Sequence, residues 1–194
     1  MDELEIQIRA ELTAITDALE GVLGRRSRWN GEVELSDDAS AFGKAMWSGR
    51  VVINRQVAQS DLRWRTEIHE ALHLFSVGLT SITYAELPGW EEAVVEQLQR
   101  LLRPTLFRSL SVNVSEIVFL AVETKHRYNR FINALEDLRL LLGEPAEGFY
   151  LSLLAVSLRE RPANVMAAGS ILAPQDLMRF RRAFAVSFSL LRRE

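Results

Sequence analysis

The sequence predicts an α+β protein: one amphipathic helix, a short β-patterned stretch, and a second half that is helical throughout. Three observations carry that expectation. Leu4, Ile8, Leu12, Ile15 and Leu19 recur at three- and four-residue steps. Between about 28 and 56 the pattern changes to alternation and β-branched residues. Beyond about 60, apolar residues return to helical spacing, interrupted only at Gly and Pro.

Taken in order, the first helix covers residues 2–20. Glu32-Val33-Glu34-Leu35 alternates, and Val51-Val52-Ile53-Asn54 follows a Ser48-Gly49 turn signal, so two or three strands form a small sheet. Ser60 or Asp61 caps a helix that runs to about Val77 and stops at Gly78, with Ile68, Leu72, Phe75 and Leu79 as its apolar stripe. A loop of about ten residues ends at Pro88-Gly89. A helix from Trp90 to Leu102 follows, closed by Pro104. Helices are expected over roughly 115–142, 146–160 and 174–192, with Gly143, Pro145, Pro162 and Pro174 as the breaks. Residues 1–194 read as a single domain: a sheet with the helix that follows it at about 28–80, and a helical part at about 90–194.

The totals narrow the chemistry. A net charge of −3 favours neither a nucleic-acid nor an acidic-substrate binder. The chain has no cysteine, so disulfides and thiolate chemistry are excluded, and any metal falls to His, Asp or Glu. The acidic N-terminus lacks the features of a signal peptide, and no apolar run approaches the ~18 residues of a membrane span. A cytoplasmic location without membrane attachment is therefore expected.

The sharpest signal is His69-Glu70-Ala71-Leu72-His73, an H-E-x-x-H. Residues four apart share a helix face, so both imidazoles can reach one ion while Glu70 projects beside it as a general base. A catalytic zinc needs a third protein ligand and an open position. No histidine lies between Leu74 and Leu79, which leaves His126 or a carboxylate. On the helix from Trp90, the residues Val94, Leu98, Leu101 and Leu102 form a core face, and Glu92 and Glu96 stand together on the opposite one. Glu92 is thus the expected third ligand, with Glu96 bonding a ligand histidine from behind. Glu91 points elsewhere and is expected in solvent.

These residues resemble the gluzincins, H-E-x-x-H peptidases whose third ligand is a glutamate on the following helix. Eighteen residues separate His73 from Glu92, a spacing similar to that of gluzincin aminopeptidases. Glu92-Ala93-Val94-Val95-Glu96 resembles the thermolysin-type Asn-Glu-Ala-Ile-Ser-Asp segment, with Trp90-Glu91 departing from it. Ala45-Met46-Trp47-Ser48-Gly49 is similar to the Ala-Phe-Trp-Asn-Gly edge strand of thermolysin-like enzymes, although Lys44 replaces the family's substrate-binding asparagine. That likeness implies substrate binding at Ala45 and Trp47, where an edge strand can hold an extended peptide. A looser similarity, through Val51–Asn54, Arg63 and Arg65, is to the ImmA/IrrE group of zincins.

The resemblance implies a zincin-like minimal catalytic core holding one Zn2+ per chain and acting on a peptide or protein substrate. His126, Arg127, Tyr128 and Tyr84 are candidate donors to a developing oxyanion, and His126 and Tyr128 are carried forward as candidate catalytic residues. Read on one helix, those two cannot share a face. The arginines at 179, 181, 182, 192 and 193 read as a solvated helix face opposite Leu177, Phe180, Phe184, Phe188 and Leu191. The alternative to a peptidase is a zincin-fold regulatory or interaction module that holds zinc without hydrolysing peptides.

Overall fold

Helix α1 (Glu3–Leu23) opens the chain in the computed structural model, which describes residues 2–192. The Asp2 side chain caps it by accepting the Leu4 N–H. It ends at Gly24, whose φ of +63° lets the backbone N–H turn back to Glu20 O. The predicted stripe of Ile8, Leu12, Ile15 and Leu19 is fully buried, and α1 packs on α3 (Leu62–Phe75). Burying each such side chain stabilises by about 1.5–3 kcal/mol, so tertiary packing rather than propensity holds this helix.

Three strands follow: β1 (Val33–Ser36), β2 (Gly43–Ala45) and β3 (Val51–Asn54), in the order β1-β3-β2. β1 runs parallel to β3 and β2 antiparallel to it, with Lys44 opposite Val52 and Ala45 opposite Val51. The expected strand at 45–49 stops at Ala45. Met46–Gly49 is instead the turn of the β2–β3 hairpin, closed by Gly49 N–H to Met46 O at 2.9 Å. Gly49 sits at φ +93°, and a Cβ there would lie 2.1 Å from the Arg28 carbonyl oxygen, so no other residue fits.

A one-turn helix α2 (Arg55–Ala58) leads into α3, in which every residue from Trp64 to Phe75 is buried. Its C-terminus is capped by Arg28, whose backbone N–H donates to Leu74 O at 3.1 Å and whose Nη2 donates to His73 O at 3.0 Å. A cation placed there also favours the negative end of the helix dipole.

The helical half is more finely divided than its sequence suggests. The expected loop before Pro88 contains α4 (Ser81–Glu86). Helix α5 runs from Pro88 to Ser109, straight through Pro104. A proline there costs one backbone hydrogen bond. Beyond it, Leu106 and Phe107 are buried, and Phe107 meets Trp64 edge-on at 6.0 Å, which holds the extra turn in place. The single helix expected at 115–142 is two, α6 (Ile117–Thr124) and α7 (Asn129–Leu142), joined by a turn at 125–128. Helix α8 (Ala146–Ala155) is shorter than expected, and α9 (Arg161–Gly169), starting at the Pro162 break, was not anticipated. In α10 (Pro174–Leu191) Phe180 and Leu191 are buried, while Arg179, Arg181 and Arg182 are exposed, as is Arg192 just after the helix; Arg193 lies outside the described residues.

The chain forms two compact units. One comprises the residues up to Phe75 with Gln99–Thr124: the sheet, α1, α3, the second part of α5, and α6. Its polar interior is a network in which buried Arg103 bonds Glu116, Glu123 and Gln99. The other comprises Ser76–Leu98 and the chain from Lys125, where α7, α9 and α10 pack on one another. Among the described residues, no helix is long and apolar enough to cross a membrane.

Candidate metal centre

Helix α3 presents His69 and His73 one turn apart, and their Nε2 atoms face each other at 3.2 Å with the rings edge-on. Glu92, in the second turn of α5, completes a buried group. One ligand atom from each of the three residues lies within 4.8 Å of the others. A buried set of two imidazoles and a carboxylate can hold a metal ion. The three residues read from the sequence as ligands are the three that the fold gathers.

Glu70 follows His69 on α3 and turns to the sheet. In the β2–β3 ladder, Phe42 O accepts from Asn54 N–H and Met46 N–H donates to Arg50 O. Antiparallel pairs alternate, so the backbone groups of Gly43 and Ala45 face away from β3 along the sheet's edge. The Ala45 N–H donates to Glu70 Oε2 at 2.7 Å across that edge. Helix and edge strand are packed closely here: a Cβ on Gly43 would lie 2.7 Å from Thr66 Cγ2 and 2.9 Å from Glu70 Cγ. Glycine is required by this close approach rather than by its φ. Trp47, the other expected substrate contact, lies on the exposed hairpin turn instead of a strand.

A second buried acid on α3 has a different role. Glu67 is fully buried, and burial first, then the Glu11 carboxylate charge and its hydrogen bond, push its carboxyl well above the usual range. Arg63 opposes that shift and itself grips Glu11 through Nε at 2.9 Å. This cluster fastens α1 to α3.

The start of α5 is buried on all sides, which overturns one expectation. Glu91 is not in solvent but completely buried, paired with the equally buried Arg161 Nη1 at 2.8 Å and accepting from Ser76 Oγ at 2.7 Å. Arg161 also donates to Trp90 O and Ser76 Oγ. Burial lowers the Arg161 guanidinium pKa, and the charge of Glu91 works against that shift. Glu96, one turn after Glu92, is buried, with Oε1 3.9 Å from His126 Nδ1, beyond hydrogen-bond length.

His126 and Tyr128 lie in the turn between α6 and α7, not on one helix. Free of helical spacing, their rings meet edge-on with centroids 4.9 Å apart. Arg127 Nη2 donates to Tyr128 Oη at 2.7 Å, and that bond is the main reason its guanidinium pKa is raised, with the charge of Glu92 contributing. Tyr84, read from the sequence only as one candidate oxyanion donor, is instead in contact with a candidate ligand: from α4 it donates its hydroxyl to Glu92 Oε1 at 2.6 Å. Its only signal was a tyrosine in the segment linking the two ligand helices. Set against known proteins, the chain matches no family model, no curated protein and no solved structure.

Proposed function

We propose that this chain is a zinc-dependent peptidase of the zincin type, with His69, His73 and Glu92 as ligands and Glu70 as general base. The observation that carries the reading is the buried group of His69, His73 and Glu92, with Glu70 next to His69 on α3. The donor spacing suits zinc. Two nitrogens about 2.0–2.1 Å from one tetrahedral ion stand about 3.3 Å apart, against 3.2 Å between the two Nε2 atoms. A zinc ion held there would polarise a peptide carbonyl and bring the pKa of a water towards neutrality.

The chain's own residues supply the rest. Glu70 takes a proton from the attacking water and passes it to the leaving amine. Ala45 and Trp47 are the proposed contacts of a peptide or protein substrate, which must displace the Ala45 N–H from Glu70 to pair with this edge. Glu96 supports a ligand histidine, and His126 or Tyr128 donates to the developing oxyanion. Retention of close to one zinc per chain after dialysis, lost in Glu92→Ala, is the expected result. Glu70→Gln should keep zinc and lose nearly all peptide hydrolysis; undiminished hydrolysis by that variant ends the assignment of the base.

The bond from Ala45 N–H to Glu70 favours a second reading, a zinc-holding regulatory or interaction module in which Glu70 ties helix to sheet. Such a module keeps its cellular function in Glu70→Gln, because glutamine can still accept the Ala45 N–H.

A further inference from the structure

The hydroxyl of Tyr84 ends on Glu92 Oε1, 2.6 Å away. At that length the contact is at the short end of O–H···O hydrogen bonds. The ring is held firmly enough to exert control. Helix α4 begins in a reciprocal cap, with Thr83 N–H to Thr80 Oγ1 at 3.2 Å and Thr80 N–H to Thr83 Oγ1 at 2.8 Å. Thr83 Oγ1 also donates to Gly78 O at 2.9 Å. At its other end Glu86 forms a two-armed ion pair with Arg159, at 3.0 and 3.1 Å. Six residues are thus fixed at both ends, with Tyr84 half-buried between them.

A carboxylate can bind a metal through one oxygen or both, and the second mode fills a position that a hydrolytic site keeps open for water. We propose that Tyr84 is a positioning residue for Glu92, engaging Oε1 so that the carboxylate coordinates through its other oxygen alone and one position stays open. The inference rests on the metal reading above and adds to it a residue that sets coordination number.

Tyr84→Phe keeps the ring and the caps of α4 and removes only the donor. The measurements are the zinc dissociation constant, by competition with a chromophoric chelator, and the visible absorption of the cobalt(II)-substituted protein. In the variant, zinc is expected to bind about 10–100-fold more weakly. Its cobalt bands should lose intensity as the coordination number rises. Zinc uptake by both proteins with the same affinity and the same cobalt spectrum overturns this inference and leaves the metal site standing. A lowered melting temperature with an unchanged cobalt spectrum also overturns it, since Tyr84 would then be structural. Failure of the wild-type protein to bind zinc or cobalt overturns the metal reading and this inference together.

Discussion

Two glutamates adjacent in sequence at the start of α5 meet different partners, and their surroundings differ in kind. Glu91 meets a full cation, Arg161, inside the protein, with Ser76 Oγ sharing the same carboxylate. Glu92 is gathered with two imidazoles and a phenol. The first arrangement answers a buried charge within the chain itself. The second assembles the donor types that hold a metal ion. Burial alone therefore does not separate a structural acid from a candidate ligand; the identity of its partners does.

The strongest way to break this contrast is Arg161→Met, which strands Glu91 in the interior. Removing one partner of a buried pair costs about 3–5 kcal/mol. Urea denaturation should show that loss, while zinc per folded chain stays at the wild-type value. Zinc lost along with stability would mean the two faces of α5 are not independent. Replacing both partners, as Glu91→Leu with Arg161→Met, should restore most of the lost stability, because the stranded charge rather than the missing bond carries the cost.

Next in size is Gly43→Ala, which forces a methyl against Thr66 and Glu70. Overpacking of this kind typically costs about 1–3 kcal/mol, readable as a lower melting temperature. The smallest change is expected from Glu92→Gln in metal-free protein, within about 1 kcal/mol of wild type. The matching Glu91→Gln should cost clearly more, since it leaves Arg161 charged and buried. Equal losses from the two glutamines would erase the distinction.

Local patterns were legible and distant partners were not. The α1 stripe, the β3 run and H-E-x-x-H each depend on residues within a turn or two of one another, and all three fall where spacing places them. Glu92 was reachable because helical projection on α5 turns it away from Val94 and Leu98. The same projection sent Glu91 to solvent, because its partner Arg161 lies seventy residues further on, in a short helix that was not anticipated. Tyr84 was missed as a contact of Glu92 because α4 is too short to show a period and its stability comes from the Thr80–Thr83 cap. Pro104 was read as a stop although tertiary burial of Leu106 and Phe107 carries the helix past it. The pairing of His126 with Tyr128 was hidden by reading one helix where two helices meet at a turn.

Arg28 joins two places that have no common chemistry. Its carbonyl oxygen excludes any side chain at Gly49, and its guanidinium and N–H hold the last turn of α3 at His73 and Leu74. A bulkier residue at Gly49 must displace the very segment that anchors the helix carrying His69 and His73. In a saturation screen for function, Gly49 should therefore rank with the proposed metal ligands in intolerance while contributing no atom to the proposed site. A map of essential positions in this protein would overstate the extent of the proposed site.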